Sequence, residues 1–284
     1  MRNRDRLDTA WRLAVALLAI AFALFPVVFI FSAAINPVSS LNTTQIIPEN
    51  PTLDNFRYML DNPQHSFGRW MMNSLIVSTI TAVLVVVLSA FAAYAFSRFR
   101  FRGRQGLLKT ILLAQVFPNV LAMIALYLIL QQIGRVIPLL GLNTLGGLIL
   151  VYLGGAMGFN TWLMKGFFDT VPRELDESAQ IDGASHFQTF YQIIFPLVRP
   201  ILTVVFILTF ISTYGDYLLA RVMLSDNKTY TLAVGLSLFI GDQYGQRWNQ
   251  FAAGALIGAI PTLILFYLVQ NQLQSGLTVG AVKG

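Results

Sequence analysis

The fold is decided by residues 71–96, which read MMNSLIVSTITAVLVVVLSAFAAYAF. These 26 residues contain no charged side chain, and as a helix they are long enough to cross the roughly 30 Å hydrocarbon core of a bilayer. A backbone in lipid must satisfy its own hydrogen bonds, and a run that is continuously apolar lacks the period of two expected of a barrel strand. The stretch therefore predicts a transmembrane helix.

Five further runs are of the same kind, so we predict an all-α membrane protein with six transmembrane helices. The composition agrees, because 56% of the residues are hydrophobic and 11% are charged, whereas a soluble domain carries about 25% charge. This excludes most soluble enzymes, and the absence of cysteine excludes disulfide scaffolds and thiol chemistry. The predicted helices are Ala14–Ile35, Met71–Phe96, Gly106–Leu130, Leu145–Met164, Pro200–Ala220 and Phe251–Val269.

The first run follows four arginines and contains a small-residue site, as a cleaved signal peptide does. Its 22 residues exceed the apolar region of a signal peptide, which has about 7–15 residues. We therefore expect this helix to be retained.

Lysine and arginine predict the orientation. With the N-terminus inside, 13 of the 19 basic residues fall on inner segments, which predicts that both termini are cytoplasmic. The largest contribution comes from Arg98, Arg100, Arg102 and Arg104. We interpret this run as a topology anchor that touches lipid phosphates rather than as a nucleic-acid site.

The predicted organisation follows from these runs. A cytoplasmic N-terminus at 1–13 precedes the first transmembrane helix at 14–35, and an outer segment at 36–70 contains a short amphipathic element around Leu53–Leu60. The remainder comprises a core domain at 71–270, with an inner loop at about 165–199 and an outer loop at about 221–250, and a cytoplasmic tail at 271–284.

The inner loop departs from the charge trend, because it carries five acidic and three basic residues. Orientation does not explain a net negative cytoplasmic loop. Pro172 suits the first helical position, and Gly183 suits the left-handed residue that follows a helix. The pattern predicts a helix that runs to Asp182 and ends at a glycine turn.

A second helix is predicted directly after this turn. Ser185 and Gln188 have the spacing of a capping box. Phe187, Phe190 and Ile194 recur at steps of three and four residues and predict an apolar stripe. Pro196 is predicted to end the helix and Pro200 to open the fifth transmembrane run. The stripe must be covered by the protein's own bundle or by another protein, and periodicity alone leaves both open.

The hairpin resembles the EAA motif of ABC importer permeases, written E-A-A-x3-G-x9-I-x-L-P. The spacing matches throughout, with Ser178 in place of the second-position alanine and Phe195 in place of leucine. The resemblance implies the type I ABC importer transmembrane fold, and it implies that this loop holds the coupling helix that docks into an ATP-binding subunit. The residues carried over are Glu177, Ser178, Ala179, Asp182, Gly183, Ile193 and Pro196.

Two further segments are similar to the MalG-type permeases of carbohydrate ABC importers, namely 230–235 (YTLAVG) and 276–284 (GLTVGAVKG). The resemblance implies that the tail contacts the ATPase through Gly280, Val282, Lys283 and Gly284. It also implies that the outer tip reaches an extracytoplasmic sugar-binding protein through Asp242, Gln243, Tyr244 and Trp248. On composition alone this tip is either a contact surface or an ordinary polar turn.

The resemblance implies a multi-pass permease subunit in a bacterial inner membrane. The implied partners are two ATP-binding subunits that hold ATP and Mg, a second homologous permease, the sugar-binding protein and the lipid membrane, with no nucleic acid. The implied substrate is maltose, maltodextrin or a related oligosaccharide, with trehalose and glycerol phosphate as alternatives. We expect no ATPase site and no cofactor in this chain, because residues 103–110 (GRQGLLKT) lack the glycine that precedes the lysine of a P-loop.

Two other classes of protein fit the residues less well. An ion-coupled secondary transporter generally needs ionisable groups deep in its bundle, and the second, fourth and sixth runs contain none. A membrane enzyme would need a nucleophile or metal constellation, and neither H-E-x-x-H nor G-x-S-x-G occurs. We therefore expect no catalytic residue and no metal site.

Polar side chains inside the runs are candidates for the translocation path, with interhelical hydrogen bonding as an equal alternative. They are Gln115, Asn119, Asn160, Tyr214 and Asp216. The pairs Gly154/Gly158 and Gly254/Gly258 predict close helix packing rather than ligand contact.

Overall fold

The computed structural model describes residues 2–39, 48–63, 65–116, 119–241 and 246–279, with side chains from residue 8 onward except those of 116, 119–120, 271 and 273–279. Over these residues the regular secondary structure is helical, without a strand, so the all-α class is confirmed. The chain divides into two compact units. Unit 1 is Met1–Gly68 with Gly235–Ile260, and unit 2 is Arg69–Val234 with Pro261–Gly284.

A 3₁₀ turn at Pro138–Leu140 lies between the fifth and sixth helices. The predicted amphipathic element around Leu53–Leu60 is confirmed as a helix that buries Asn55 and Met59. In chain order the helices are α1 (Arg2–Ile35), α2 (Asp54–Asp61), α3 (Phe67–Arg98), α4 (Arg104–Val116), α5 (Asn119–Val136), α6 (Leu145–Phe168), α7 (Glu174–Ile181), α8 (His186–Leu197), α9 (Arg199–Tyr214), α10 (Leu218–Met223), α11 (Leu232–Ser237) and α12 (Trp248–Val279).

Four of the described helices are long and apolar enough to cross a bilayer, and the pair formed by α8 and α9, bent by 76°, would be a fifth. The predicted third run includes residues 117 and 118, which lie outside the described residues. The helices on either side of them, α4 and α5, have 13 and 18 residues, each fewer than the roughly 20 residues that a crossing needs. The count of six and the cytoplasmic position of both termini therefore stay predictions. The four helices are Asp8–Ile35, Phe67–Arg98, Leu145–Phe168 and Trp248–Gln270.

The core of unit 2 lies where α3, α6, α8 and α9 contribute buried apolar side chains. Because α8 belongs to the inner loop, this core packs the loop against the end of α3. The cluster contains Val85, Ala90, Ala93, Tyr94, Met164, Phe168, Val171, Phe190, Ile194, Val198, Ile201, Leu202 and Val205.

The prediction that the second helix of the inner loop ends at Pro196 is confirmed to within one residue, because the helix ends at Leu197 and the chain bends at Val198. Proline lacks an N–H, and its ring clashes with the carbonyl four residues earlier in a regular α-helix. Here Thr189–Ile194 is π-helical, and the Phe195 N–H donates to the carbonyl of Phe190, five residues back. The wider turn accommodates the proline within the last turn of the helix.

The predicted fifth helix, Pro200–Ala220, is also interrupted. The helix α9 ends at Tyr214, and α10 begins at Leu218. The carboxylate of Asp216 lies in the break and accepts a hydrogen bond from the Ala220 N–H at 3.1 Å. A side chain that satisfies an N–H at the start of a helix favours a new start there over continuation of the previous helix.

Three buried asparagines hold unit 1 together. Asn55 Nδ2 donates to the carbonyls of Ala34 and Asn36, each at 2.9 Å. Asn249 Nδ2 donates to the Asn36 carbonyl at 3.2 Å and to Asn55 Oδ1 at 3.0 Å. The end of α1, α2 and the start of α12 are thereby joined.

The last helix is longer than predicted, since α12 runs to Val279 rather than ending near Val269, with Pro261 inside it. Close packing is confirmed at two of the predicted glycines. A Cβ at Gly158 would lie 2.5 Å from Gln115 Nε2, and one at Gly254 would lie 2.5 Å from a methyl group of Leu236. At Gly154 a Cβ would meet nothing within 4 Å, so the prediction fails there.

Candidate functional site

The helices α7 and α8 are joined by a turn centred on Gly183. Its φ is +85°, in the left-handed region that glycine accommodates without strain. The Gly183 N–H donates to the Gln180 carbonyl at 3.0 Å, and the Ala184 N–H donates to the Ala179 carbonyl at 2.9 Å. These two bonds form the Schellman pattern that ends a helix, so the predicted glycine turn is confirmed.

The predicted capping box at the start of α8 is confirmed as well. The Gln188 N–H donates to Ser185 Oγ at 3.3 Å, and the Ser185 N–H donates to Gln188 Oε1 at 2.8 Å. Two local motifs therefore fix the hairpin, one ending α7 and one starting α8. The α-helical part of α7 begins at Glu174, two residues after Pro172.

The outer face of the hairpin exposes large apolar side chains on both sides of the turn. Ile181 is 86% exposed, Phe187 is 65% exposed and Tyr191 is 62% exposed. We call these three residues the docking surface. Large exposed apolar side chains on both helices of a hairpin are typical of an interaction site.

The inner face of α8 packs into the unit 2 core. Thr189, Phe190 and Ile194 are buried there. Phe187, the first residue of the predicted apolar stripe, is not covered by this core. The π-helical turns from Thr189 onward change the residue spacing of the helix, so the stripe begins at Thr189 and leaves Phe187 exposed.

The residues carried over from the EAA motif divide between the two faces. Ala179 is buried and Ile193 is half-buried, so both support the packing of the hairpin. The other motif residues are exposed and accompany the docking surface: Glu177, Ser178, Asp182, Gly183 and Pro196.

A buried ion pair attaches α7 to the end of α3. Arg98 Nε lies 3.0 Å from Asp176 Oδ2, and the two side chains are 6% and 9% exposed. The N–H does not align with the carboxylate oxygen, so the contact is electrostatic rather than a well-formed hydrogen bond. Arg98 Nη2 also donates to the Val171 carbonyl at 3.0 Å. One arginine therefore contacts both the connection that leads to α7 and α7 itself.

Tyr94 extends this contact to α8. Its hydroxyl lies 3.5 Å from Asp176 Oδ1 and 3.4 Å from the His186 carbonyl. Its ring packs against Phe190 at 5.0 Å and Phe99 at 5.7 Å between centroids. The last turns of α3 thus touch both helices of the hairpin.

A second set of polar contacts lies beside the first. Ser97 Oγ donates to Asp169 Oδ1 at 2.7 Å, and Lys165 forms an ion pair with the same carboxylate. Burial alone would raise the pKa of Asp169, but these bonds and the positive charges of Lys165 and Arg104 outweigh it and lower the pKa. The Arg173 Nη2 donates to the Ser97 carbonyl at 2.9 Å. The last turn of α3 therefore contacts both the end of α6 and the residue that precedes α7.

Arg98 corrects the interpretation of the arginine run as a lipid anchor. Its side chain is buried against Asp176 and is withdrawn from the surface, so the interpretation is wrong for this residue. Arg100 and Arg102 are exposed, and Arg104 is half-buried. The sequence contains no local signal that separates Arg98 from the other three.

The structure does not bring the predicted translocation-path residues together by any described hydrogen bond. Asn160 Nδ2 donates to the Ala156 carbonyl of its own helix at 2.9 Å, and Tyr214 stacks on Phe210 at 5.6 Å. Gln115 packs over Gly158. The side chain of Asn119 lies outside the described residues. These contacts favour a packing role for most of the set.

Asp216 has a partner that the sequence analysis missed. Tyr152 Oη donates to Asp216 Oδ1 at 2.8 Å, and Tyr152 is buried on α6. The only sequence signal for this pair was Tyr152 itself, whose hydroxyl is a polar group in the middle of the fourth apolar run. The pair joins α6 to the break before α10.

The outer tip is described only at its base. Asp242, Gln243 and Tyr244 lie outside the described residues. The backbone N–H of Trp248 donates to Ser39 Oγ at 2.9 Å, and the Trp248 ring packs edge-on against Phe251 at 6.0 Å between centroids. The tail residues Gly280, Val282, Lys283 and Gly284 also lie outside the described residues.

Beside Trp248, the base of the tip is attached to α2. Arg247 Nη1 donates to Tyr58 Oη at 2.7 Å, and its guanidinium lies 5.6 Å from the centre of the Tyr58 ring. The tip therefore starts from a fixed point in unit 1.

Comparison with known proteins gives one family. Residues 85–278 match the family described as "Binding-protein-dependent transport system inner membrane component". The chain is 41% identical over 286 residues to the maltose/maltodextrin transport system permease protein MalG of Vibrio vulnificus, with 96% of both chains covered. It is 40% identical over 278 residues to the galactooligosaccharides transport system permease protein GanQ of Bacillus subtilis, again with 96% of both chains covered.

Solved structures resemble the fold. The chain superposes with a TM-score of 0.78 on a chain of a bacterial ABC transporter involved in import of the acidic polysaccharide alginate, at 22% identity, covering 94% of this chain and 96% of the other. A second structure, of a bacterial alginate ABC transporter in complex with an alginate pentasaccharide-bound periplasmic protein, gives a TM-score of 0.65 at 17% identity, covering 94% and 93% of the two chains. At these identities the likeness concerns the fold.

Proposed function

The chain belongs to the family of binding-protein-dependent transport system inner membrane components, and from this premise we propose that it is the permease subunit of an ATP-driven oligosaccharide importer. It is a multi-pass protein of a bacterial inner membrane. The observation that carries the proposal is the anchored hairpin with its exposed docking surface. An exposed apolar surface on a rigidly attached element suits a partner that transmits force.

In this proposal an ATP-binding subunit, which holds ATP and Mg, docks on Ile181, Phe187 and Tyr191 from the cytoplasmic side. The chain crosses the membrane six times with both termini inside, as the distribution of basic residues favours. The tail, through Gly280 to Gly284, contacts the same pair of ATP-binding subunits. A second, homologous permease subunit completes the membrane part.

Movement of the docked subunit reaches the membrane helices through the end of α3. The ion pair of Arg98 with Asp176 and the bond from Arg173 to Ser97 tie the hairpin to α3. A docked subunit that moves α7 therefore moves α3 as well, because opening the contact would leave buried charges unpaired. We propose that this movement switches the permease between inward- and outward-facing states. The partner subunits bind these two states with different affinities, and this difference couples ATP hydrolysis to transport.

On the outer side, a sugar-binding protein delivers the substrate. The proposed contact is the tip that includes Asp242, Gln243, Tyr244 and Trp248, whose base is held by Arg247 on Tyr58. The proposed substrate is maltodextrin or a related oligosaccharide, as transported by relatives at about 40% identity. Trehalose and glycerol phosphate are the alternatives for an uptake assay.

The test is a pair of substitutions on the docking surface, Ile181→Ser with Phe187→Ser, in the full chain co-expressed with its companion subunits. Burying one large apolar side chain contributes about 1.5–3 kcal/mol, so the double variant should retain less than about 1% of the bound ATP-binding subunit and of ATP-driven uptake of labelled maltodextrin. Leu139→Ser is the matched control, because Leu139 is 74% exposed on the 3₁₀ turn. Wild-type assembly and uptake in the double variant would refute the proposal.

A further inference from the structure

A strongly basic cavity lies beside the hairpin and takes no part in the docking surface. It is an open depression of the surface with a volume of about 810 Å³, called the cavity below, and it is bounded by the connection between α3 and α4 and by the residue that precedes α7. Arg100, Arg102, Arg104 and Arg173 line it, together with Phe101, Gly103, Gln105 and Gly106. Among these described lining residues four are cationic and none is acidic.

Two of the four guanidinium groups are held in place by backbone carbonyls. Arg173 Nη2 donates to the Ser97 carbonyl at 2.9 Å, and Arg104 Nη1 donates to the Phe99 carbonyl at 3.2 Å. The carboxylate of Asp169 is already engaged by Lys165 and Ser97. Four like charges around one cavity repel each other, so the site favours an anion with several acceptor oxygens.

The position of the cavity selects among anions. The connection joins α3, which is long and apolar enough to cross a bilayer, to α4, which exposes Leu107 and Leu113 by 50% and 70%. A polar connection at the end of a membrane-crossing helix lies at the surface of the membrane, where arginines meet lipid phosphates. The exposed leucines of α4 offer an apolar path for acyl chains next to the basic cavity.

We propose that this cavity binds the phosphate group of an anionic phospholipid, with the acyl chains along α4. Arg173 directly precedes α7, whereas Arg100, Arg102 and Arg104 belong to the α3–α4 connection. One bound headgroup therefore bridges the membrane-embedded helices and the hairpin. This role rests on the proposed function, because it makes the attachment of the hairpin sensitive to anionic lipid.

The binding test uses the purified full chain in a zwitterionic detergent and needs no partner subunit. Phosphatidylglycerol, phosphatidylcholine and inorganic phosphate are titrated separately, and bound ligand is counted by native mass spectrometry. The variant is Arg100→Gln with Arg102→Gln, since both side chains are exposed. Arg135→Gln is the matched control, an exposed arginine at the end of α5.

We expect phosphatidylglycerol to bind more tightly than phosphatidylcholine and the double variant to bind it roughly thirtyfold more weakly. That factor corresponds to about 2 kcal/mol, at about 1 kcal/mol for each basic residue near an anionic lipid and about 1.4 kcal/mol per factor of ten. Arg135→Gln should bind as the wild type does.

Equal binding of the two lipids, or unchanged binding in the double variant, would overturn the proposal. Inorganic phosphate that displaces phosphatidylglycerol at equal concentration would instead assign the site to a soluble anion. Loss of ATP-binding subunit from the co-expressed complex with lipid binding intact would assign it to a protein partner. Because the lipid titration contains no ATP-binding subunit, a negative result there leaves the proposed function standing.

Discussion

Removing one partner of the Arg98–Asp176 ion pair should release α7 from the end of α3. The two side chains are 6% and 9% exposed, so either one left alone keeps a buried charge without its counter-ion, at a cost of about 3–5 kcal/mol. We expect Arg98→Met and Asp176→Leu each to destabilise the local attachment of α7 by about this amount. At about 1.4 kcal/mol per factor of ten, even 3 kcal/mol raises the population of opened α7 roughly a hundredfold.

Hydrogen–deuterium exchange of the α7 amides in the full chain, embedded in lipid nanodiscs, measures this opening directly. Each single variant should exchange these amides roughly a hundredfold faster than the wild type. The double variant Arg98→Met/Asp176→Leu should exchange more slowly than either single variant, because replacing a buried pair by apolar side chains is often neutral. Recovery should stop short of the wild-type rate, since Arg98 Nη2 also bonds the Val171 carbonyl at 3.0 Å.

The control is the neighbouring ion pair of Lys165 with Asp169, whose side chains are 17% and 43% exposed. Water screens this pair, so Lys165→Met should accelerate α7 exchange by no more than about fivefold, equivalent to about 1 kcal/mol. Wild-type exchange in the single variants would show that the ion pair does not hold α7. A double variant that shows the product of the two single effects would show that the two charges do not interact.

Three further outcomes are expected. Gly183→Val should reduce retention of the ATP-binding subunit at least tenfold and Gly183→Asn by less than about threefold, because a β-branched residue is strained at φ +85° and asparagine tolerates it; equal losses would contradict this. Tyr152→Phe should lower the thermal unfolding midpoint in detergent by roughly 5 °C, because it removes a hydrogen bond to a carboxylate worth about 1.5–3 kcal/mol. Asp216→Asn keeps an acceptor oxygen and should lower the midpoint less. The reverse order would contradict a stabilising hydrogen bond between Tyr152 and Asp216. Burial, assisted by the charge of Arg247, lowers the pKa of His65 despite a backbone hydrogen bond that raises it. Protonation of His65 therefore opposes folding, so the stability of the protein should be level above about pH 6.5 and fall below it. The difference in unfolding midpoint between the wild type and His65→Gln should change between pH 8 and pH 5, and a constant difference would exclude this contribution.

The hairpin could be predicted from the sequence because its signals are local. Gly183 needs only its own backbone angle, and the box formed by Ser185 and Gln188 needs only a spacing of three residues. Neither depends on what the rest of the chain does. Such motifs are readable from the residues that form them.

The anchoring of the hairpin could not be predicted, because its partners are distant in the chain. Arg98 and Asp176 are 78 positions apart, and Arg98 is one of four arginines at every second position. Only packing determines which of them turns inward. The same reason hid the bond of Tyr152 to Asp216.

The interrupted fifth run shows a second limit of the apolar pattern. Hydrophobicity over 200–220 is the same whether the backbone is continuous or interrupted, because lipid and protein interior select the same side chains. The interruption before α10 depends on the carboxylate of Asp216 reaching the Ala220 N–H. A single hydrogen bond decides what the average composition leaves open.

The π-helical segment Thr189–Ile194 acts as a rotational offset in the chain. One residue corresponds to about 100° of helical rotation, so a single-residue deletion within it would turn the N-terminal part of α8 by that angle relative to the part that holds Ile194. Phe187 would then swing away from the proposed docking surface without any change in its own identity. A one-residue insertion or deletion in this segment would therefore reorient the end of the hairpin while the core beneath it stays as it is.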